Sequence, residues 1–146
     1  PMPETELLLH ETRHTVDYGF CDSMLFDGHH SIYAGTVAGV LARIDTRTDQ
    51  VEKVATVMGS GRFPALALGP DGTLYGAGGM RGKTQIVRWR PQSERVEVFS
   101  HLLDPAIGEA PARIHEMAVG PDGRLYLGEN DNHHRSSYLW SGVLQK

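Results

Sequence analysis

Short stretches in which apolar and polar residues alternate run through most of the chain, and turn sequences separate them. Alternation with a period of two is typical of a β-strand, because successive side chains point to opposite faces of a sheet. The middle of the chain shows the pattern most clearly and predicts strands at residues 65–68, 73–77, 84–89 and 95–100. No long segment has apolar residues at helical spacing, so the pattern predicts an all-β protein.

The segments between the predicted strands have the composition of tight turns. The chain contains 17 glycines and 8 prolines spread along its length, as expected where many short elements are joined. Pro-Asp-Gly occurs at residues 70–72 and again at 121–123. Proline presets φ, aspartate can bond its own backbone and glycine adopts a positive φ, so each copy predicts a hairpin. The first hairpin carries His29-His30 instead, and we expect a different turn geometry there.

Three segments of the chain repeat one another. They read MLFDGHHSIYAG, LALGPDGTLYGAG and MAVGPDGRLYLGE, and their aligned tyrosines, Tyr33, Tyr75 and Tyr126, lie 42 and then 51 residues apart. Repeats of about 40–50 residues with four predicted strands each are typical of β-propeller blades. We expect the three tyrosines to pack between blades, together with Trp89 and Trp140, which the alignment places at equivalent third-strand positions.

The repeat predicts a single propeller fragment made of about three four-stranded blades. The blades occupy residues 18–61, 62–112 and 113–146, the last of them incomplete, and residues 1–17 are predicted to form a stray outer strand. Propellers usually have about four to eight blades. We therefore expect the ring to be completed either by a second copy of the chain or by the remaining blades of a parent protein. An open β-sandwich or meander is the alternative architecture.

The motifs GPDGTLY and GPDGRLY resemble the blades of the propeller group that includes NHL-like, streptogramin-lyase-like and gluconolactonase-like proteins. The resemblance covers nearly the whole chain from residue 18 onward. For gluconolactonase-like members it implies a divalent metal held in the channel by Glu, Asn and Asp side chains from separate blades. No residue of this chain is matched to that set. The cofactor therefore stays unknown, although a divalent metal is compatible with the polar groups described below.

Composition narrows the classes of partner. The net charge of −4 provides no basic surface for a phosphate backbone, so no nucleic-acid partner is expected. The longest apolar run is too short to cross a membrane, so no membrane partner is expected either. The single cysteine, Cys21, excludes an internal disulfide and is predicted to be a small buried residue. No feature of the sequence indicates a localisation.

In a propeller, the loops that follow the second and fourth strands of each blade share one face, at the mouth of the central channel. The segment ENDNHHRS at 129–136 reaches this face with carboxylate, amide, imidazole and guanidinium groups. Such groups transfer protons, ligate metals or bind carboxylates. The candidate catalytic residues are His115, Glu116, His133 and His134, and the candidate ligand-binding residues are Arg62, Arg113, Glu129, Asn130, Asp131, Asn132 and Arg135.

These candidates leave two functional hypotheses and one structural alternative. The first hypothesis is a propeller module that presents a polar channel-mouth surface to a small-molecule, carbohydrate or protein ligand. The second is a lyase, lactonase or glycan-active enzyme that uses histidine and carboxylate groups at the same mouth, with or without a metal. The structural alternative treats 129–136 as a solvated loop and has Arg62 and Arg113 pair with a neighbouring blade. Whether the chain is an enzyme stays open at this stage.

Overall fold

The computed structural model describes residues 18–59, 61–80, 83–93 and 95–143. Within these ranges the chain forms strands and turns and no helix, and so contains no helix that could cross a membrane. The predicted outer strand at 1–17 lies outside the described residues. The strands are β1 Cys21–Phe26, β2 Ser31–Thr36, β3 Val40–Asp45, β4 Gln50–Thr56, β5 Ala65–Leu68, β6 Leu74–Met80, β7 Lys83–Trp89, β8 Val96–His101, β9 Arg113–Val119, β10 Arg124–Asn130 and β11 Leu139–Val143.

The strands form three antiparallel sheets, each a simple meander along the chain. The first sheet has the order β1-β2-β3-β4, the second β5-β6-β7-β8 and the third β9-β10-β11. We call these sheets the first, second and third blade. The four strands predicted for the second blade are confirmed, with the start of each placed within one residue. The predicted all-β class is likewise confirmed.

The hairpin turns follow the predicted chemistry. In the second blade, Gly72 has a φ of +77° and the Asp71 carboxylate accepts a hydrogen bond from the Thr73 backbone N–H at 3.1 Å. In the first blade, the positive φ moves to Gly28, and the Asp27 carboxylate accepts bonds from three successive backbone N–H groups. The first hairpin therefore turns by a different geometry, as predicted, because its glycine stands at a different place in the loop.

The blades pack with their first strands side by side, because β5 lies between β1 and β9. One apolar cluster fills the space between the first and second blades, and another fills the space between the second and third. The members of the first cluster include Tyr33, Leu41, Phe63, Leu74 and Trp89, and those of the second include Tyr75, Ile86, Ile114, Leu125 and Leu127.

Three core predictions need correction. Tyr126 is 38% exposed, although Tyr33 and Tyr75 are buried, because no blade follows the third one in the described chain. Cys21 is exposed and not buried, because no blade precedes the first one in the described residues. Trp140 pairs with Leu127, whereas Trp89 pairs with Leu74, so the two tryptophans are offset by two residues and are not equivalent.

Candidate functional site

The segment that enters the second blade is held by two backbone hydrogen bonds, one to the first blade and one within the second blade. The Phe63 N–H donates to the Thr36 carbonyl of the first blade at 3.0 Å, and the Arg62 carbonyl accepts from the Gly79 N–H at 3.0 Å. These bonds fix the segment that enters the second blade. Arg113 begins β9 at the equivalent place in the third blade. Both arginines therefore lie at the entrance of a first strand, as the repeat predicted.

A cavity of about 190 Å³ lies between the second and third blades at this end. Gly78 and Gly79 form a part of the cavity wall that carries no side chain. A Cβ at Gly78 would collide with the Arg62 carbonyl oxygen, so no other residue fits there without a backbone shift. The side chains that line the cavity include those of Arg62, Pro64, Thr84, Arg113, Ile114 and His115.

Two carboxylates hold the charged side chains of this cavity. The Arg62 guanidinium bonds both oxygens of Asp22 from the first blade, with Nε 2.8 Å from Oδ2. The Asp22 side chain is almost completely buried, while Arg62 is half-exposed. The hydrogen bonds that Arg62 donates to Asp22, together with the charges of Asp22 and Asp131, raise the pKa of Arg62. Arg62 is therefore a fixed cation that links the first two blades.

Asp131 is the second carboxylate, and it is much more open. Its Oδ2 lies 3.1 Å from Arg113 Nη1 and 3.7 Å from His115 Nε2, and both Asp131 and Arg113 are exposed. The backbone of Asp131 has a φ of +59°, which is uncommon for a residue other than glycine. The Asn130 side-chain oxygen accepts the Asp131 N–H at 2.8 Å and supports this conformation. The result is a row of alternating charges along one side of the cavity.

Glu129 forms a separate, buried centre directly beside this row. Its side chain is fully buried, yet both oxygens accept hydrogen bonds. Burial alone raises the pKa of Glu129, but the Arg135 guanidinium and donors from the backbone and Asn132 outweigh burial and lower it to about 2. The donors are Ala112 N at 2.8 Å, Asn132 Nδ2 at 2.9 Å, Arg135 Nη1 at 2.8 Å, Tyr138 N at 2.9 Å and Trp140 Nε1 at 3.1 Å.

A second, wider cavity of about 400 Å³ lies next to three hydrogen-bond partners of Glu129. Asn132, His134 and Arg135 line it, together with Glu109 and the backbone of residues 110–112. Three groups hold Arg135. Its Nε donates to Glu109 at 3.0 Å and its Nη1 donates to Glu129. Its Cζ lies 3.5 Å from the centroid of the Tyr138 ring. The Arg135 charge is thus neutralised by protein groups.

The structure separates the predicted site residues into four groups. Arg62, Arg113 and His115 line the smaller cavity, with Asp131 paired to two of them, while Asn132, His134 and Arg135 line the wider one. Glu129 is buried and lines neither cavity, but it bonds three residues of the wider one, Ala112, Asn132 and Arg135. Glu116, Asn130 and His133 are exposed and line neither cavity.

Sequence reasoning did not single out Asp22 and Glu109, which position Arg62 and Arg135. The alignment of the repeats contains one indication that Asp22 lies near the site. Asp22 aligns with Pro64 and His115, so an acidic residue stands where another blade has a cavity-lining residue. In the described part of the chain, no three His, Cys, Asp or Glu side chains are grouped so that they could hold a metal ion.

Comparison with known proteins identifies the architecture. No family model matches the sequence, and no curated protein matches it. Among solved structures, it is similar to the Cps50 (Swd1) β-propeller domain of Myceliophteria thermophila, with a TM-score of 0.57 and 15% identity over 88% of this chain and 41% of that chain. It is also similar to an oxidoreductase from Thermus thermophilus described as a glucose dehydrogenase, with a TM-score of 0.55 and 21% identity over 82% of this chain and 40% of that one.

The WD40 repeats of RRP9 give a TM-score of 0.57 at 16% identity, over 86% of this chain and 36% of that chain. The chain therefore spans about two fifths of the length of the propellers that it matches. Identities this low show the fold and carry no activity from one protein to another. The three blades, their packing and these likenesses together identify the chain as part of a β-propeller.

Proposed function

We propose that this chain is a propeller module that binds a small polar ligand carrying a carboxylate, in the cavity between the second and third blades. The single observation that supports the proposal most is the convergence of Arg62, Arg113 and His115 on one cavity from two different blades. A volume of about 190 Å³ is smaller than that of sites for drug-sized ligands, which is about 300–1,000 Å³. The cavity therefore suits a small acid or one acidic sugar unit, and not a protein segment.

The two arginines would have different parts in binding. Arg62 is paired through two nitrogens with the nearly buried Asp22, so its position is fixed and its charge is largely compensated. Among the described residues, Arg113 pairs with the exposed Asp131, and exposed ion pairs of this kind contribute about 0–1 kcal/mol. A ligand carboxylate can therefore replace Asp131 on Arg113 at little cost and gain paired, charge-assisted hydrogen bonds.

We expect Arg113→Gln to weaken carboxylate binding by roughly tenfold or more, because a hydrogen bond to a charged group contributes about 1.5–3 kcal/mol. The measurement is ligand-detected NMR with acetate, malonate and galacturonate, and with neutral glucose as the chemical control. Arg47→Gln is the matched control variant, since Arg47 forms an exposed ion pair with Asp45 in the β3–β4 turn, away from the cavity. Equal binding by all three proteins, or a preference for glucose, would refute the proposal.

A second candidate function is catalytic, and the pairing of His115 with Asp131 favours it. A histidine beside a carboxylate, at the edge of a cavity with two arginines, has the components of a general base next to a carboxylate-binding site. Such an arrangement fits a lyase or lactonase that acts on an acidic sugar.

We expect His115→Gln to lower any turnover of polygalacturonate or gluconolactone by roughly 100-fold, as removal of a general base does. His29→Gln is the control, because His29 lies exposed in the β1–β2 turn. His133→Gln and His134→Gln test the other two predicted catalytic histidines, which are exposed. If the wild-type chain turns over neither compound, or if His115→Gln retains full activity, the catalytic alternative is rejected for these substrates.

The proposed site belongs to an incomplete ring. The third blade has three strands in the described residues, and the chain covers about two fifths of the propellers that it resembles. We infer that further blades complete the channel whose mouth holds the site. They are supplied by a second copy of the chain or by the rest of a longer protein.

A further inference from the structure

Strand register makes the three blades comparable position by position. Tyr33, Tyr75 and Tyr126 hold the same place in their blades, since each pairs with the same position of the first strand. We call the face of a blade that packs against the following blade its trailing face, and the opposite one its leading face. The trailing faces of the first two blades and the leading faces of the last two are buried in the two apolar clusters.

The trailing face of the third blade carries the same kind of apolar residues, but no described residue packs over them. Leu139 pairs with Gly128, as Leu41 pairs with Gly35 and Ile86 with Ala77, so these three side chains are equivalent. Leu41 and Ile86 are 0% and 4% exposed, whereas Leu139 is 74% exposed. Tyr126 on the same face is likewise more exposed than the other two tyrosines.

The leading face of the first blade shows the complementary pattern. Met24 and Phe26 occupy the places that Leu66 and Leu68 occupy in the second blade. Met24 and Phe26 are 62% and 55% exposed, whereas Leu66 is 8% exposed. The described chain thus exposes one leading and one trailing face, and faces of these two kinds meet twice inside the chain.

We propose that a second copy of this chain covers both faces and forms a two-fold symmetric ring of six blades. The trailing face of each third blade packs on the leading face of the partner's first blade. This inference rests on the proposed function only in assuming that the channel is completed by further blades. Six blades lie within the usual range of about four to eight, and a two-fold axis closes the ring without leaving a free face.

Continuity with the interfaces inside the chain argues for another blade as the cover, and a second copy supplies both of the faces that are needed. Both internal interfaces join a trailing face to a leading face, and the described chain presents one of each unpaired. A self-to-self contact through one face alone would bring two leading or two trailing faces together, an arrangement that neither internal interface shows. Head-to-tail pairing covers both exposed faces with the same kind of contact that joins the blades inside the chain.

Mass in solution tests the inference, measured by light scattering on the full 146-residue chain during size exclusion. We expect twice the 16.1 kDa chain mass at micromolar concentration. Leu139→Asp and Met24→Asp should each give a chain of single mass, because each places a charge in both interfaces of the ring. Leu103→Asp is the matched control and should stay dimeric, since Leu103 is also exposed but lies in the β8–β9 loop. Circular dichroism and melting of all four proteins check that the substituted chains remain folded.

Mixing the two interface variants sharpens the test. A ring of one Leu139→Asp chain and one Met24→Asp chain keeps one unaltered interface, so the mixture should regain dimers that neither variant forms alone. A folded wild-type monomer at high micromolar concentration would overturn the inference. So would disruption by only one of the two variants, which indicates a self-to-self contact. Ligand binding by a monomer would overturn the six-blade ring and leave the proposed site intact. A dimer that binds none of the carboxylates would overturn the proposed site and leave the ring intact.

Discussion

Replacing Glu129 with alanine is expected to lower the free energy of unfolding by about 3–5 kcal/mol, the range measured when one partner of a buried ion pair is removed. Alanine would leave five donors without their acceptor, one of them the charged Arg135. The donors come from three separate segments: the loop before β9, the loop after β10 and the region where β11 begins. Loss of the carboxylate therefore releases all three segments together, and with them the segment that carries Asp131.

Chemical denaturation of the wild-type protein and of Glu129→Ala measures the effect. Glu129→Gln should fall between them, since an amide keeps one acceptor oxygen but points a new donor at existing donors. Glu97→Gln is the matched control: Glu97 also forms a 2.8 Å ion pair with an arginine, Arg88, but on the surface, and should change stability by about 0–1 kcal/mol. A loss for Glu129→Ala no larger than that for Glu97→Gln would show that the buried network does not stabilise the blade.

The same carboxylate predicts how stability depends on pH. Its pKa falls from 4.5 to about 2 on folding, so its contribution is fully present above pH 4.5 and is lost as the pH falls towards 2. Each pKa unit corresponds to about 1.4 kcal/mol, so the contribution is about 3 kcal/mol. Unfolding curves at about pH 6, 4 and 3 should show this loss in the wild-type protein and a smaller one in Glu129→Gln. Parallel pH dependence in both proteins would assign the acid sensitivity to other carboxylates.

The blades could be predicted from the sequence because the turn residues, the alternation of apolar and polar residues and the repeat spacing all indicate the same strands. Pro-Asp-Gly specifies the turn, alternation specifies the strands, and the aligned tyrosines specify the repeat. What the repeat could not show is which copies have neighbours. Tyr126 and Cys21 occupy core positions of a blade and are exposed only because each lies on a face that no described blade covers.

The candidate site was harder to predict, because a polar segment has the same composition whether it faces inward or outward. Residues 129–136 follow one another in the sequence, yet Glu129 turns into the protein, Asp131 turns towards Arg113 and His133 is exposed. One signal was available. Register places Glu129 at the position of Thr36, which is buried, so an inward-facing carboxylate could have been expected. The five donors to its oxygens could not have been predicted, because they lie in loops and at the start of β11, where the sequence shows no alternating pattern.

The offset of Trp140 has a related cause. Matching residue types aligned Trp140 with Trp89, but the loop between β10 and β11 is longer than the loop between β6 and β7. Turn geometry and loop length help to set the register of the strand that follows, so a longer loop can change that register. The shift of two residues keeps Trp140 on the same face of its sheet, which explains why it still packs with the second apolar cluster. Its indole N–H is thereby placed on Glu129.

Phe63→Ala is expected to destabilise the protein by about 3–5 kcal/mol, the usual cost of removing a fully buried aromatic ring. Phe63 fills the space between the first two blades, where its ring lies so close to Gly76 that a Cβ there would collide with it. Alanine would leave a cavity that neighbouring side chains cannot fill without moving a strand. Thermal and chemical unfolding measure the loss, and Phe20→Ala, with a ring that is 84% exposed, should change stability by no more than about 0.5 kcal/mol.

The position of Phe63 next to Arg62 gives this substitution a second consequence. The Phe63 N–H bonds the first blade and the Arg62 carbonyl bonds Gly79, so packing of the ring helps to keep Arg62 on Asp22. A loosened interface should therefore weaken carboxylate binding in the folded protein as well as stability. Unchanged binding in a destabilised Phe63→Ala protein would show that Arg62 is positioned by Asp22 alone. A stability loss below about 1 kcal/mol would instead show that the two blades close over the missing ring, which contradicts a rigid interface.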